Sequence, residues 1–145
     1  MSDRETLLFR IADALFEASL VSWHSLTNAE RIFLLIWELE ADVNNGGFNQ
    51  YFFNSAGDHA LDVPAALRSV GASTTASIVD RALQTLAGDF SADRSARQLV
   101  LERIDPETEA FDSLDQEFYA YPDDLSSLLS AFVATRLSEI RGATS

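Results

Sequence analysis

The chain has 145 residues, 47% of them hydrophobic, with 23 acidic residues against 10 basic ones and a net charge of −13. It has no cysteine, and every basic residue is an arginine. This excludes disulfides, thiolate metal sites, cysteine nucleophiles, Schiff-base lysines and phosphate-loop lysines. So negative a chain repels polyanions, and direct binding to nucleic acid or to an anionic membrane is not expected.

Asp3, Arg4, Glu5, Arg10 and Asp13 interrupt the N-terminal leucines, leaving no signal-peptide core. The longest purely apolar run, residues 32–37, falls far short of the roughly 20 residues that span a bilayer. The expectation is a cytoplasmic protein with no membrane segment, folded as one domain over residues 1–145. A chain of this length buries roughly 70% of the surface its unfolded form exposes, enough for a core without metal or disulfide staples.

Apolar residues at 7, 8, 11, 14, 15 and 18 give the three-and-four spacing of an amphipathic helix over residues 3–21. Thr27 followed three residues later by Glu30 predicts a reciprocal cap at the start of a second helix, residues 28–43. IFLLIWEL makes that helix apolar nearly all round and marks it as the central helix of the core. Asn44, Asn45, Gly46 and Gly47 tolerate the left-handed conformation that closes a helix and predict its end. A short helix over 48–54 follows, stopped by Ser55-Ala56-Gly57.

Pro64 after Asp62 starts a helix running to Gly71, and residues 73–87 read as another, ended by Gly88. Residues 92–104 read as helical. Asp105-Pro106 supplies a cap and a first-turn proline for a helix to about Tyr119. Tyr121-Pro122-Asp123-Asp124 breaks the chain before a last helix over 125–141. No strand-period segment and no repeat stands out. The fold class is all-α, a globule of about seven or eight helices.

Four of the five asparagines crowd into the stretch VNNGGFNQYFFNSAGD, around two glycines and a block of aromatics. On a structural reading, Asn44, Asn45, Gly46 and Gly47 are helix punctuation, and Phe48, Tyr51, Phe52 and Phe53 are core wedges. Asn49, Gln50 and Asn54 then satisfy exposed backbone at a tight junction, as amides can, offering both donors and an acceptor. On a functional reading, the same amides line a polar pocket with Glu38, Glu40 or Asp42.

The run EADVNNGGFNQYFFNSAGD resembles the signature of a bacterial family of unknown function named for its DNA-mimic member. The segment SLDQEFYAYPDDLSSLLSAFV resembles that family's second recognisable block. The resemblance covers most of the chain and implies an all-α globule. For the best-known member it implies binding to a transcription regulator in place of DNA. Residues 44–52 and Asn54 carry the signature, as fold determinants or as a ligand site.

A DNA mimic needs carboxylates on a stiff surface with few bases among them. Between residues 102 and 124 there are nine acids and one base, Arg103. Asp105, Glu107, Glu109, Asp112, Asp115, Glu117, Asp123 and Asp124 are the candidate partner-binding residues. In a helix after Pro106, Phe111, Leu114 and Phe118 define the buried face. Asp105, Glu109 and Asp112, with Asp115 beside them, then form a solvent-facing stripe. Helical positions four apart rise about 6 Å, compatible with phosphate-like spacing. The partner expected is a basic DNA-binding protein or another cationic protein. The alternative is an inhibitor or immunity-type role against a basic enzyme such as a nuclease.

Enzyme readings are thin. His24 and His59 form no HExxH-like pair, and GxSxG, GxGxxG and GxxxxGK[ST] are absent. Packing or capping roles are expected for both histidines. Neither a cofactor nor a metal is expected. Glu38 and Asp42, at i and i+4 beside the amides, leave open a cation site or acid–base chemistry. Tyr119 and Tyr121 offer a route to a homodimer.

Overall fold

The computed structural model describes residues 2–86 and 90–144. The described residues form seven α-helices and no strand: α1 Asp3–Val21, α2 Asn28–Phe53, α3 Val63–Ser69, α4 Ser73–Thr85, α5 Arg94–Ile104, α6 Asp112–Tyr119 and α7 Leu125–Ala134. Short 3₁₀ segments, Trp23–Ser25 and Ser55–Asp62, join α1 to α2 and α2 to α3. Among the described residues, no helix is long and apolar enough to cross a membrane. The all-α expectation holds.

The start of α2 follows the sequence closely. Thr27 Oγ1 accepts from the Glu30 N–H, and the Glu30 carboxylate accepts from the Thr27 N–H. Glu30 is nevertheless only 1% exposed. It also accepts from the Arg141 backbone N–H and lies 3.0 Å from its guanidinium. One carboxylate thus closes a helix start and ties down the C-terminal segment. A second capping box, Ser2 with Glu5, opens α1.

Helix α2 is the hub, touching α1, α3, α5, α6 and the 3₁₀ segment after it. The two helices expected over 28–43 and 48–54 are one kinked helix. Gly46 and Gly47 leave helical geometry in its middle, and the chain resumes the helix at Phe48. Gly47 has φ +76°, and a Cβ there would overlap the Asp115 carboxylate. Both the backbone region and the space require glycine. Beyond the kink, Phe48 and Phe52 enter the core with Phe111 and Phe118. Ring centroids lie 5.5–6.3 Å apart, and Phe118 stands edge-on to Phe48 at 5.9 Å. Each such buried ring contributes roughly 1.5–3 kcal/mol of transfer energy.

Four boundaries differ from the sequence reading. Ser55-Ala56-Gly57 does not stop the helical path but continues it as 3₁₀ turns to Asp62. The helix read over 92–104 begins at Arg94, with Asp93 as its side-chain cap. Asp105-Pro106 does not open a helix, and α6 starts only at Asp112. The Asp105 carboxylate accepts from the backbone N–H groups of Glu109 and Ala110, folding 105–110 into a turn in which Thr108 has φ +54°. The last helix ends at Ala134 rather than Arg141. There the Thr135 hydroxyl donates to the Phe132 carbonyl, and Glu30 takes up the Arg141 N–H. The end expected for α4 at Ala87 and Gly88 lies outside the described residues; α4 runs to Thr85.

Gly47→Ala should cost about 3 kcal/mol, from the positive φ plus the overlap with Asp115. Gly71→Ala, also at positive φ but with only Leu128 Cδ2 at 3.7 Å, should cost about 1 kcal/mol. Urea denaturation of the two variants measures the difference.

Candidate functional site

The kink in α2 leaves the Phe48 N–H without a helical partner, and the Asp115 carboxylate of α6 accepts it at 2.9 Å. One residue on, the Asn49 side-chain amide donates to Asp105 at 2.7 Å. Asn44 donates to the Tyr121 hydroxyl at 2.6 Å, and that hydroxyl donates to Glu40. Tyr119 donates to the Val43 carbonyl at 3.0 Å. The glycine–amide run and the late acidic segment are therefore two halves of one joint. The hydroxyls of Tyr119 and Tyr121 are committed within the chain, while each ring stays about 40% exposed.

The other amides turn toward α2 itself. Asn45 donates to Gln50 at 3.3 Å, and Gln50 and Asn54 each reach one oxygen of Asp42 at 3.4 Å. Phe48, Tyr51 and Phe52 are core residues, whereas Phe53 is 43% exposed. The amides thus serve local junctions and long-range carboxylates together.

This joint reassigns much of the acidic stripe. Asp105 is 4% exposed, not solvent-facing, because it holds Asn49 and two backbone N–H groups. Asp115 is half-buried against Phe48. Burial raises its carboxyl above the ordinary value, against the opposing Phe48 hydrogen bond, with Asp112 and Asp105 adding repulsion. Asp123 accepts from the N–H and hydroxyl of Thr75, capping α4 from outside because Ala72 has no side-chain acceptor to do so. Asp124 caps α7 through Ser127. Glu117 pairs with both terminal nitrogens of Arg81, which holds its carboxyl below the ordinary range.

Glu107, Glu109 and Asp112 remain exposed, and Glu102 on the last turns of α5 joins them. No side chain of these four accepts a hydrogen bond or pairs with an arginine among the described residues. They do not form the continuous helical ladder expected, because Glu107 and Glu109 sit on the turn rolled around Asp105. That turn is pinned by the buried Asp105 side chain, so the outward acids ride on hydrogen-bonded backbone.

Arg97 was not visible as a structural residue in the sequence. It is completely buried, donating to the carbonyls of Phe52, Asn54, Ser91 and Ala92 and to Asp58 at 2.7 Å. It closes the C-terminus of α2, where the last carbonyls lack helical partners. Burial would raise the Asp58 carboxyl, but hydrogen bonds and charge from Arg97 and Arg94 together bring it below its ordinary value. His59 stacks on Trp23 with centroids 4.1 Å apart, a packing role. Among the described residues no cluster of three His, Cys, Asp or Glu side chains is placed to hold a metal ion.

An acidic all-helical globule, with two sequence blocks meeting in one hydrogen-bonded joint, is the class these observations define. The chain belongs to the DMP19-like protein family, whose model matches residues 24–136. No curated protein and no solved structure matches it. The family carries the name of a DNA-mimic protein, so the resemblance to that family stands.

Asp105→Ala should cost about 3 kcal/mol, since Asn49 and two part-buried N–H groups lose their acceptor. Glu107→Gln and Glu109→Gln should stay within about 0.5 kcal/mol of the parent. Chemical denaturation followed by circular dichroism reads both.

Proposed function

We propose that this protein is a non-catalytic binding protein that occupies the DNA-binding surface of a basic transcription regulator. Its contact surface centres on Glu102, Glu107, Glu109 and Asp112, with Glu117 and Asp124 at the margin. The observation that carries this reading is the set of four exposed carboxylates without a partner among the described residues, held around a turn whose own acid is buried. Membership of a family named for a DNA mimic supports it.

The electrostatics agree. A carboxylate already paired, as Glu117 is with Arg81, must exchange one guanidinium for another and gains little from a cationic partner. An unpaired exposed carboxylate loses only water and counterions when a cationic surface meets it. Such contacts steer encounter and weaken steeply with salt.

Affinity capture from host cells, with nuclease treatment to remove bridging nucleic acid, recovers the partner. DNA carrying the partner's operator should then be displaced from it by added protein. Recovery of a nuclease or another basic enzyme in place of a regulator would assign the inhibitor role. Changing Glu102, Glu107, Glu109 and Asp112 together to their amides should weaken binding at least about tenfold and flatten its salt dependence. Neutralising the exposed Asp3 and Glu17 of α1 should change neither. Equal effects from the two sets would remove the late-chain surface from the mechanism.

A further inference from the structure

A cavity of about 650 Å³ opens between α1, both halves of α2 and α5, and no residue of the 102–124 segment lines it. Its volume is that of a small-molecule site. Phe16, Trp37 and Phe53 supply apolar wall, and Asp13, Glu38 and Asp42 supply three carboxyl groups. Among the described residues Arg94 is the one cation on the lining, and Asp58 already answers it at 3.1 Å.

Two carboxylates on the lining and one hydroxyl behind it lack the partners that buried groups normally have. The Glu38 side chain, half-buried, makes no hydrogen bond or ion pair among the described residues. Among the described residues Asp42 receives Gln50 and Asn54 on Oδ1 only, both at 3.4 Å, and nothing on Oδ2. Behind them the Tyr51 hydroxyl is fully buried without a partner. It ends within electrostatic reach of Glu38, Asp42, Arg97 and Asp58. An unmade hydrogen bond at such a group costs about 1–3 kcal/mol. Elsewhere this chain satisfies its buried polar groups thoroughly, as at Arg97, Glu30 and Asp105.

We propose that this cavity binds a small organic cation, an alkylammonium or alkylguanidinium group, with Glu38 and Asp42 as its anionic partners and the aromatic wall around its alkyl part. The chemistry of the wall selects the class. An anion would face three acids, while the Arg97 donors are already spent on four carbonyls and Asp58. A bare metal ion finds no three-ligand cluster among the described residues. An organic cation uses both surfaces at once, since aromatic faces attract cations and cover alkyl chains. The site goes beyond the binding-protein reading and stands or falls separately from it.

Binding carries a proton signature. Burial first, then repulsion from Asp42 and Asp58, raises the Glu38 carboxyl to about 7. Asp13 from α1, Asp42 from its own helix and Arg94 from α5 share the lining with it, and Asp58 of the 3₁₀ segment, itself paired with Arg94 and Arg97, lies close enough to repel it. A bound cation favours the ionised carboxyl and expels the proton. Affinity therefore rises with pH until Glu38 is ionised in the empty protein, then levels off.

Isothermal titration of the full chain with butylguanidinium, at pH 6 and pH 8, tests this. Affinity should be about tenfold higher at pH 8. Glu38→Gln should weaken binding and abolish the pH dependence, while Asp42→Asn should weaken binding and, by removing one source of repulsion on Glu38, reduce the dependence without abolishing it. Tyr51→Phe, which removes a hydroxyl outside the lining, should leave the empty protein at least as stable. N-acetyl-arginine amide, set beside butylguanidinium, distinguishes the source of the cation. Tighter binding of the capped amino acid points to a protein side chain, and tighter binding of the simple guanidinium to a free metabolite. No binding by about 10 mM, equal binding of neutral pentanamide, or affinity independent of both pH and Glu38 would overturn the proposal.

Discussion

The structure depends on the break of α2 at Gly46 and Gly47. A straight helix would spend the Phe48 N–H internally and rotate the aromatic face away from α6. With Gly47 at positive φ, that N–H turns outward, and the Asp115 carboxylate occupies the space a Cβ would otherwise fill. From that hydrogen bond follow the placement of α6, the packing of Phe48 against Phe118, and the meeting of Asn49 with Asp105. The glycines are thus a hinge point locked by an acid far away in the sequence.

The acidity of the late segment has two physical meanings that sequence alone merges. Asp105, Asp115 and Asp123 are internal acceptors. Each accepts from an N–H that a turn, a kink or a helix start would otherwise leave unpaired. Glu102, Glu107, Glu109 and Asp112 have no such duty. A count of charges makes the segment a uniform field, whereas the fold turns part of it inward and leaves a smaller outward set. This sorting concentrates the functional reading without removing it.

What was legible follows the range of the interaction. Thr27 with Glu30 is a contact three residues long, and the sequence places it correctly. The apolar face of α2 is equally local and equally readable. Asp105-Pro106 misleads because an aspartate before proline suits a helix start, yet the same carboxylate can close a turn onto the N–H groups four and five residues ahead. The choice is made by Asn49, which no local window contains. Likewise nothing around Arg97 signals its burial, because its acceptors lie some forty residues back at the end of α2 as well as just before it. The Glu38–Asp42 pair was visible as a spacing, but the cavity and the solitary Tyr51 hydroxyl exist only once α1 and α5 have closed around it.

The Arg97 guanidinium has a consequence for how the molecule opens. Its acceptors come from the end of α2, the 3₁₀ segment and the approach to α5. If α5 lifts away alone, several carbonyls and a carboxylate lose their donor in one event. Fraying of that corner is therefore penalised as a unit rather than bond by bond. The amides of these three stretches should exchange with solvent in concert, making the region a single cooperative block despite its three separate places in the chain.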